Sequence, residues 1–134
     1  MRYQDVLRLV LAVMFFLGAV ANTIMLITAP DIYEGFADLA FLAFYRTLWR
    51  GVVLPRLGLF LALVIIFEII VGVLLLSRGP YAQLGLIFAA AYAAFLVPFW
   101  WGGGGLINIV LFLLMLWLLR FGYSESVPEL VFGR

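Results

Sequence analysis

The chain contains no cysteine, no histidine and no lysine, and only 11% of its 134 residues carry a charge. Within this polypeptide those absences exclude thiol–disulfide exchange, thiolate metal sites, histidine-ligated haem or chlorophyll, and Schiff-base chemistry. A formal net charge of +1 offers no basic surface to a polyanion, so no nucleic-acid role is supported. The lack of cysteine says nothing about the redox state of the compartment.

What is present is apolar. The chain is 68% hydrophobic with a mean hydropathy of +1.25, far outside the usual composition of soluble domains, where about a quarter of residues are charged. A hydrocarbon core about 30 Å thick needs roughly 20 apolar residues per helix. Four stretches approach that length: 9–29, 57–77, 81–101 and 104–121. Lipid supplies no hydrogen bonds to the backbone, so each must be helical. The sequence therefore predicts an all-α integral membrane protein, with four transmembrane helices in an antiparallel bundle forming one domain over 1–134.

The first stretch carries Ala19-Val20-Ala21, which looks like a small-residue processing site. Hydrophobicity continues through Met25, Leu26 and Ile27, however, so the segment is read as a retained span. Residues 31–50 are too polar at both ends to cross. Acidic Asp31, Glu34 and Asp38 precede Arg46 and Arg50, the order that complements a helix dipole. An interfacial helix is expected here, with Phe36, Leu39, Leu42 and Trp49 toward the hydrocarbon boundary, ended by Gly51 and Pro55.

Short turns at Arg78-Gly79-Pro80 and Gly102–Gly105 predict tight hairpins. The glycine run lacks the lysine and hydroxyl of a phosphate-binding loop, so a turn is the better reading. Trp49, Trp100 and Trp101 are expected to anchor the chain at the membrane interface. With four crossings, Arg2, Arg8, Arg78, Arg120 and Arg134 share one side, and Arg46, Arg50 and Arg56 the other. That bias places both termini in the cytoplasm. The expected location is a prokaryotic cytoplasmic membrane.

The strongest functional signal is Glu68, one carboxylate in the middle of the second span. Sixteen Leu, Ile, Phe and Val residues between 57 and 77, each favouring insertion by about 0.4 kcal/mol, outweigh a single acid costing about 3 kcal/mol. Once inserted it is expected to be a neutral acid that donates a hydrogen bond, unless an arginine reaches it. Asn22, Tyr92 and Asn108 lie within roughly 6 Å of the middle of their own spans, at 1.5 Å rise per residue. They are candidates for one polar layer with Glu68. Each has a small residue one turn away, pairing Gly18 with Asn22, Gly72 with Glu68, Ala89 with Tyr92 and Gly105 with Asn108, which suits close helix packing. These groups either hydrogen-bond the helices together or form an intramembrane site for a proton or a polar head group. No catalytic residue and no metal ligand set is identified.

The run Tyr45-Arg-Thr-Leu-Trp-Arg-Gly-Val-Val-Leu-Pro55 leading into Phe67-Glu68-Ile-Ile-Val-Gly72, with Arg78-Gly79, Leu106-Ile-Asn108 and Leu119-Arg120, resembles the DoxX-like group. The resemblance implies a small four-helix membrane protein, often an accessory subunit tied to quinone-dependent or other respiratory redox assemblies, with Glu68, Gly72 and Asn108 as candidate functional positions. Three expectations stay open. One is a non-catalytic accessory subunit of a larger membrane complex, with a C-terminal tail (125–134) ordered by its partner and no activity alone. Another is a quinone- or proton-linked redox component built on Glu68, with no intrinsic cofactor beyond a bound quinone or lipid. The last is a small homo-oligomeric proton-coupled transporter.

Overall fold

The computed structural model describes residues 1–99 and 103–133. Every regular element among them is helical: α1 (Tyr3–Thr28), α2 (Phe36–Leu39), α3 (Ala43–Leu48), α4 (Leu57–Leu76), α5 (Pro80–Leu96), α6 (Gly103–Leu118) and α7 (Val127–Phe132). Three helical stretches are long and apolar enough to cross a membrane, Tyr3–Thr28, Ala43–Leu76 and Pro80–Phe99. A fourth apolar helix, Gly104–Leu118, is shorter. Trp100, Trp101 and Gly102 lie outside the described residues.

The long helices expose their apolar faces. On α1, Val6, Val10, Val13, Leu17, Val20, Ile24 and Ile27 form an exposed stripe at steps of three and four, and Leu59, Leu63, Ile66, Ile70 and Val73 repeat it on α4. A soluble helix turns such a stripe inward. Here the buried positions of α1 include Gln4, Asp5 and Arg8 beside Leu11, Ala12, Phe15 and Ala19. Polar groups inside and aliphatic groups outside suit a hydrocarbon solvent.

Small residues bring the helices together. A Cβ on Gly72 of α4 would sit 2.7 Å from the Phe16 ring of α1, and one on Gly85 of α5 would sit 2.9 Å from both Leu74 Cβ and Leu75 N of α4. Contacts between α1 and α4 run from Arg8 with Ser77, through Phe16 with Gly72, to Asn22 with Glu68. The two helices therefore lie in opposite senses. Leu11, Phe15, Val71, Leu75, Leu86, Ala89, Met115 and Leu118 form the buried core between α1, α4, α5 and α6.

Between α1 and α4 the expected single interfacial helix is broken. A 3-10 turn over Pro30–Gly35 leads into α2, and the chain is extended at Ala40 and Leu42 before α3 begins. Backbone pairing explains the break, because Phe41 N–H donates to Pro98 O at 3.1 Å, at the end of α5. Gly51 and Pro55, expected to end the helix, leave Ala43–Leu76 helical throughout. Pro55 has no N–H to continue the ladder, so the hydrogen bonding shifts instead, to a π turn over Trp49–Val53 and a 3-10 turn over Leu54–Arg56.

The C-terminal segment packs onto its own chain. Arg8 is fully buried and donates to Ser77 O at 2.5 Å, Glu125 O at 3.2 Å and Asp5 Oδ1 at 3.3 Å, while its guanidinium covers the Tyr123 ring at 4.3 Å. Arg2 joins Asp5 at 3.0 Å and Gly122 O at 3.1 Å. Gly79, at φ +58°, a left-handed value that favours glycine, aims its N–H at Tyr123 O at 2.6 Å. Ser126 and Glu129 form a reciprocal capping box that starts α7.

Replacing Arg8 with Met keeps much of the packed volume but removes every donor of the guanidinium. Leaving Asp5 and two carbonyls short of partners is expected to cost about 3–5 kcal/mol. Thermal unfolding in mild detergent reads the loss, and limited proteolysis reads release of the segment after Gly122.

Candidate functional site

Glu68 lies on the inner face of α4 and is 3% exposed. Its neighbour across the interface is Gly18 of α1, where a Cβ would fall 3.0 Å from Glu68 Oε1. Gly18 thus leaves the space into which the carboxylate fits. Asn22, one helical turn further along α1, donates through Nδ2 to both oxygens, at 3.2 Å to Oε1 and 3.1 Å to Oε2. From α5 the Tyr92 hydroxyl donates to Oε1 at 2.9 Å.

A fourth member comes from outside the long helices. The Tyr33 hydroxyl donates to Asn22 Oδ1 at 2.8 Å, which fixes the amide so that its N–H face meets Glu68. Tyr33 is 1% exposed. Its own carbonyl accepts the Trp49 indole N–H at 2.7 Å, and Phe36 meets the Tyr33 ring edge-to-face at 5.2 Å and stacks on Trp49 at 5.7 Å. One chain of hydrogen bonds therefore runs from Trp49 through Tyr33 and Asn22 to Glu68.

Of the four residues expected in a polar layer, Glu68, Asn22 and Tyr92 meet directly. Asn108 does not join them, because its amide donates to Gly104 O of its own helix at 3.0 Å, although it borders the same cavity as Glu68. Ala89 is fully buried and Gly105 is buried. Trp49 is half-buried, with its ring against Phe36 and Phe99 and its N–H used inside the chain. Tyr33 and the Arg8–Asp5–Tyr123 cluster escaped the sequence reading. Tyr33 sits in an irregular turn with no periodicity to mark it, whereas Arg8 and Asp5 share a helix face at a spacing of three, a signal that was there to be read.

Glu68 forms no ion pair: among the described residues these join Arg2 and Arg8 to Asp5, Arg50 to Asp38 and Arg78 to Glu129. The carboxyl group receives hydrogen bonds from the Asn22 amide and the Tyr92 hydroxyl. A carboxylate has about four lone-pair positions, and two side chains with a shared amide do not fill them. The site retains room for one more donor.

Two cavities meet at this carboxyl group. One of about 300 Å³ lies toward the 30–56 segment and is walled by Phe36, Trp49, Leu61, Phe95 and Phe99, with Asn22, Tyr33, Tyr92 and Glu68 supplying the polar surface. The other, about 190 Å³, lies toward the end of the bundle that carries the termini, between Leu11, Phe15, Ala93, Asn108 and Met115. Gly18, Glu68 and Tyr92 border both. Among the described residues no group of three His, Asp or Glu side chains is placed to hold a metal ion.

No family model, curated protein or solved structure matches the chain.

Burial, and then the nearby Glu68 carboxylate, push the Tyr33 phenol above its ordinary value of 10.0. The folded state binds this proton more tightly than the unfolded chain. Its stabilising contribution is therefore complete below pH about 10 and is lost as pH rises through the folded value. Melting curves across the alkaline range are expected to fall less steeply for Tyr33→Phe than for the wild type. At neutral pH the same variant should cost about 1 kcal/mol for the lost hydrogen bond.

Proposed function

We propose that this protein is a small integral-membrane subunit of redox or electron-transport machinery, and that its own contribution is an intramembrane site around Glu68 for the head group of a quinone. The observation that carries the reading is the buried carboxyl group, held by neutral donors without a countercharge, at the polar end of a largely aromatic cavity of about 300 Å³. Ligand pockets combine that kind of apolar wall with a few convergent polar groups. A quinol hydroxyl has the donor that Glu68 still accepts, and a flat ring suits a space lined by Trp49, Tyr92 and Phe99. Electrons would pass to another subunit, since the chain has neither Cys nor His for a haem or cluster of its own.

The proposal includes four crossings in an antiparallel bundle. Helix α6 has 16 residues, about 24 Å at 1.5 Å rise, and helical hydrogen bonds continue to Phe121 N–H. Four crossings put both termini on one face, read as cytoplasmic from the arginines there. The resemblance to the DoxX-like group supports the same placement as an accessory redox subunit.

Purification from native membranes in mild detergent, followed by intact-complex mass spectrometry and quinone extraction, tests both halves. Stoichiometric membrane partners and about one quinone per chain are the expected result. Glu68→Gln should keep the partners and lose most of the bound quinol, because the amide places an N–H where the carboxylate accepts the quinol hydroxyl. An isolated chain without quinone would remove the reading.

A further inference from the structure

We infer that Glu68 is a proton shuttle between the two cavities, its carboxyl group turning from Asn22 toward Asn108 against the bare backbone of Gly18. This goes beyond the quinone reading, shares Glu68 and the larger cavity with it, and requires no ligand.

Position along the helices is the first observation. The larger cavity is bordered by Gly18, Ala21, Asn22 and Met25 of α1, and the smaller by Leu11, Met14, Phe15 and Gly18. On α5 the corresponding borders are Tyr92, Phe95 and Leu96 against Ala89, Tyr92 and Ala93. The cavities are thus stacked along the bundle axis, with a septum made of Glu68, Tyr92 and the bare backbone of Gly18. Among the described residues, Glu68 is the only carboxyl group that borders either one.

Clearance is the second. The carboxyl group has Gly18 beside it, and a methyl group there would come within 3.0 Å of Oε1 and 3.3 Å of Cδ. Asn108 supplies the polar end of the smaller cavity, and it is 7% exposed. Both volumes exceed the roughly 30 Å³ that a water occupies, and the polar groups bordering them are Asn22, Tyr33, Glu68 and Tyr92 in the larger and Glu68, Tyr92 and Asn108 in the smaller.

The step balances without another reactant. A hydronium in the larger cavity gives its proton to the Glu68 carboxylate, so that an O–H bond of the hydronium breaks and a carboxyl O–H bond forms. The neutral acid turns past Gly18 and releases the proton to a water in the smaller cavity. That regenerates the carboxylate, and the reverse sequence carries protons the other way. Tyr92 borders both cavities and keeps a hydrogen bond within reach during the turn.

The full chain reconstituted in liposomes, with an internal pH dye and a potassium–valinomycin clamp, reads the flux. Wild type is expected to exceed protein-free liposomes, Glu68→Gln to fall by on the order of 10²-fold, and Gly18→Ala to fall roughly tenfold if the methyl adds about 1.4 kcal/mol to the barrier. Labelling of Glu68 by dicyclohexylcarbodiimide, which reacts with protonated membrane carboxyl groups, should be slowed by Gly18→Ala as well. Wild-type flux equal to protein-free liposomes, or equal flux in wild type and Glu68→Gln, overturns the inference. If Glu68→Gln fails to assemble, unchanged flux and labelling in Gly18→Ala overturn it instead. Bound quinone without flux removes the shuttle alone, and flux without bound quinone removes the quinone site alone.

Discussion

A carboxyl group placed in hydrocarbon must have its hydrogen bonds supplied by protein, and that constraint organises the middle of this molecule. Lipid cannot solvate Glu68, and among the described residues no arginine pairs with it. Asn22 and Tyr92 therefore have to come from two other helices, which fixes the rotation of α1 and α5 about their axes. Gly18 follows from the same demand, because α1 cannot approach the carboxyl group with a side chain at that position. Tyr33 follows in turn, since an amide that gives its N–H to Glu68 leaves a carbonyl oxygen needing a donor.

A second polar cluster does for the termini what Glu68 does for the centre. Arg8, Asp5 and the ring of Tyr123 gather the start of α1, the α4–α5 turn and the segment before α7 around one buried guanidinium. These contacts cross more than a hundred residues of sequence. In a chain whose helices expose aliphatic side chains on nearly every face, apolar packing alone specifies little about which faces meet. The two buried polar clusters supply directional contacts that Leu, Ile and Val cannot.

The two clusters also divide the molecule by use. The one at the termini spends most of its donors and acceptors on backbone carbonyls and on the ion pairs of Asp5 with Arg2 and Arg8, and it ties the C-terminal segment down. The central one ends at cavities on both sides and keeps acceptor capacity unspent. That contrast is why the proposals centre on Glu68 and treat Arg8 as a clamp.

The membrane class, the helical content and the importance of Glu68 were legible in the sequence because each follows from local composition: runs of apolar residues, and one acid where an acid is costly. Asn22 and Tyr92 were legible as well, since depth within a span can be counted at 1.5 Å per residue. Asn108 passed the same count yet bonds to its own helix, because depth says nothing about rotation around the axis. Tyr33 and Trp49 were not legible as part of the site, and the break at Ala40–Leu42 was invisible, since it depends on Phe41 finding a carbonyl at Pro98. The sequence by itself determined the solvent this protein folds in and the depth of its polar groups. Only the tertiary structure decided which of those groups face one another, because rotation and the path of irregular backbone are set by long-range hydrogen bonds that no local pattern records.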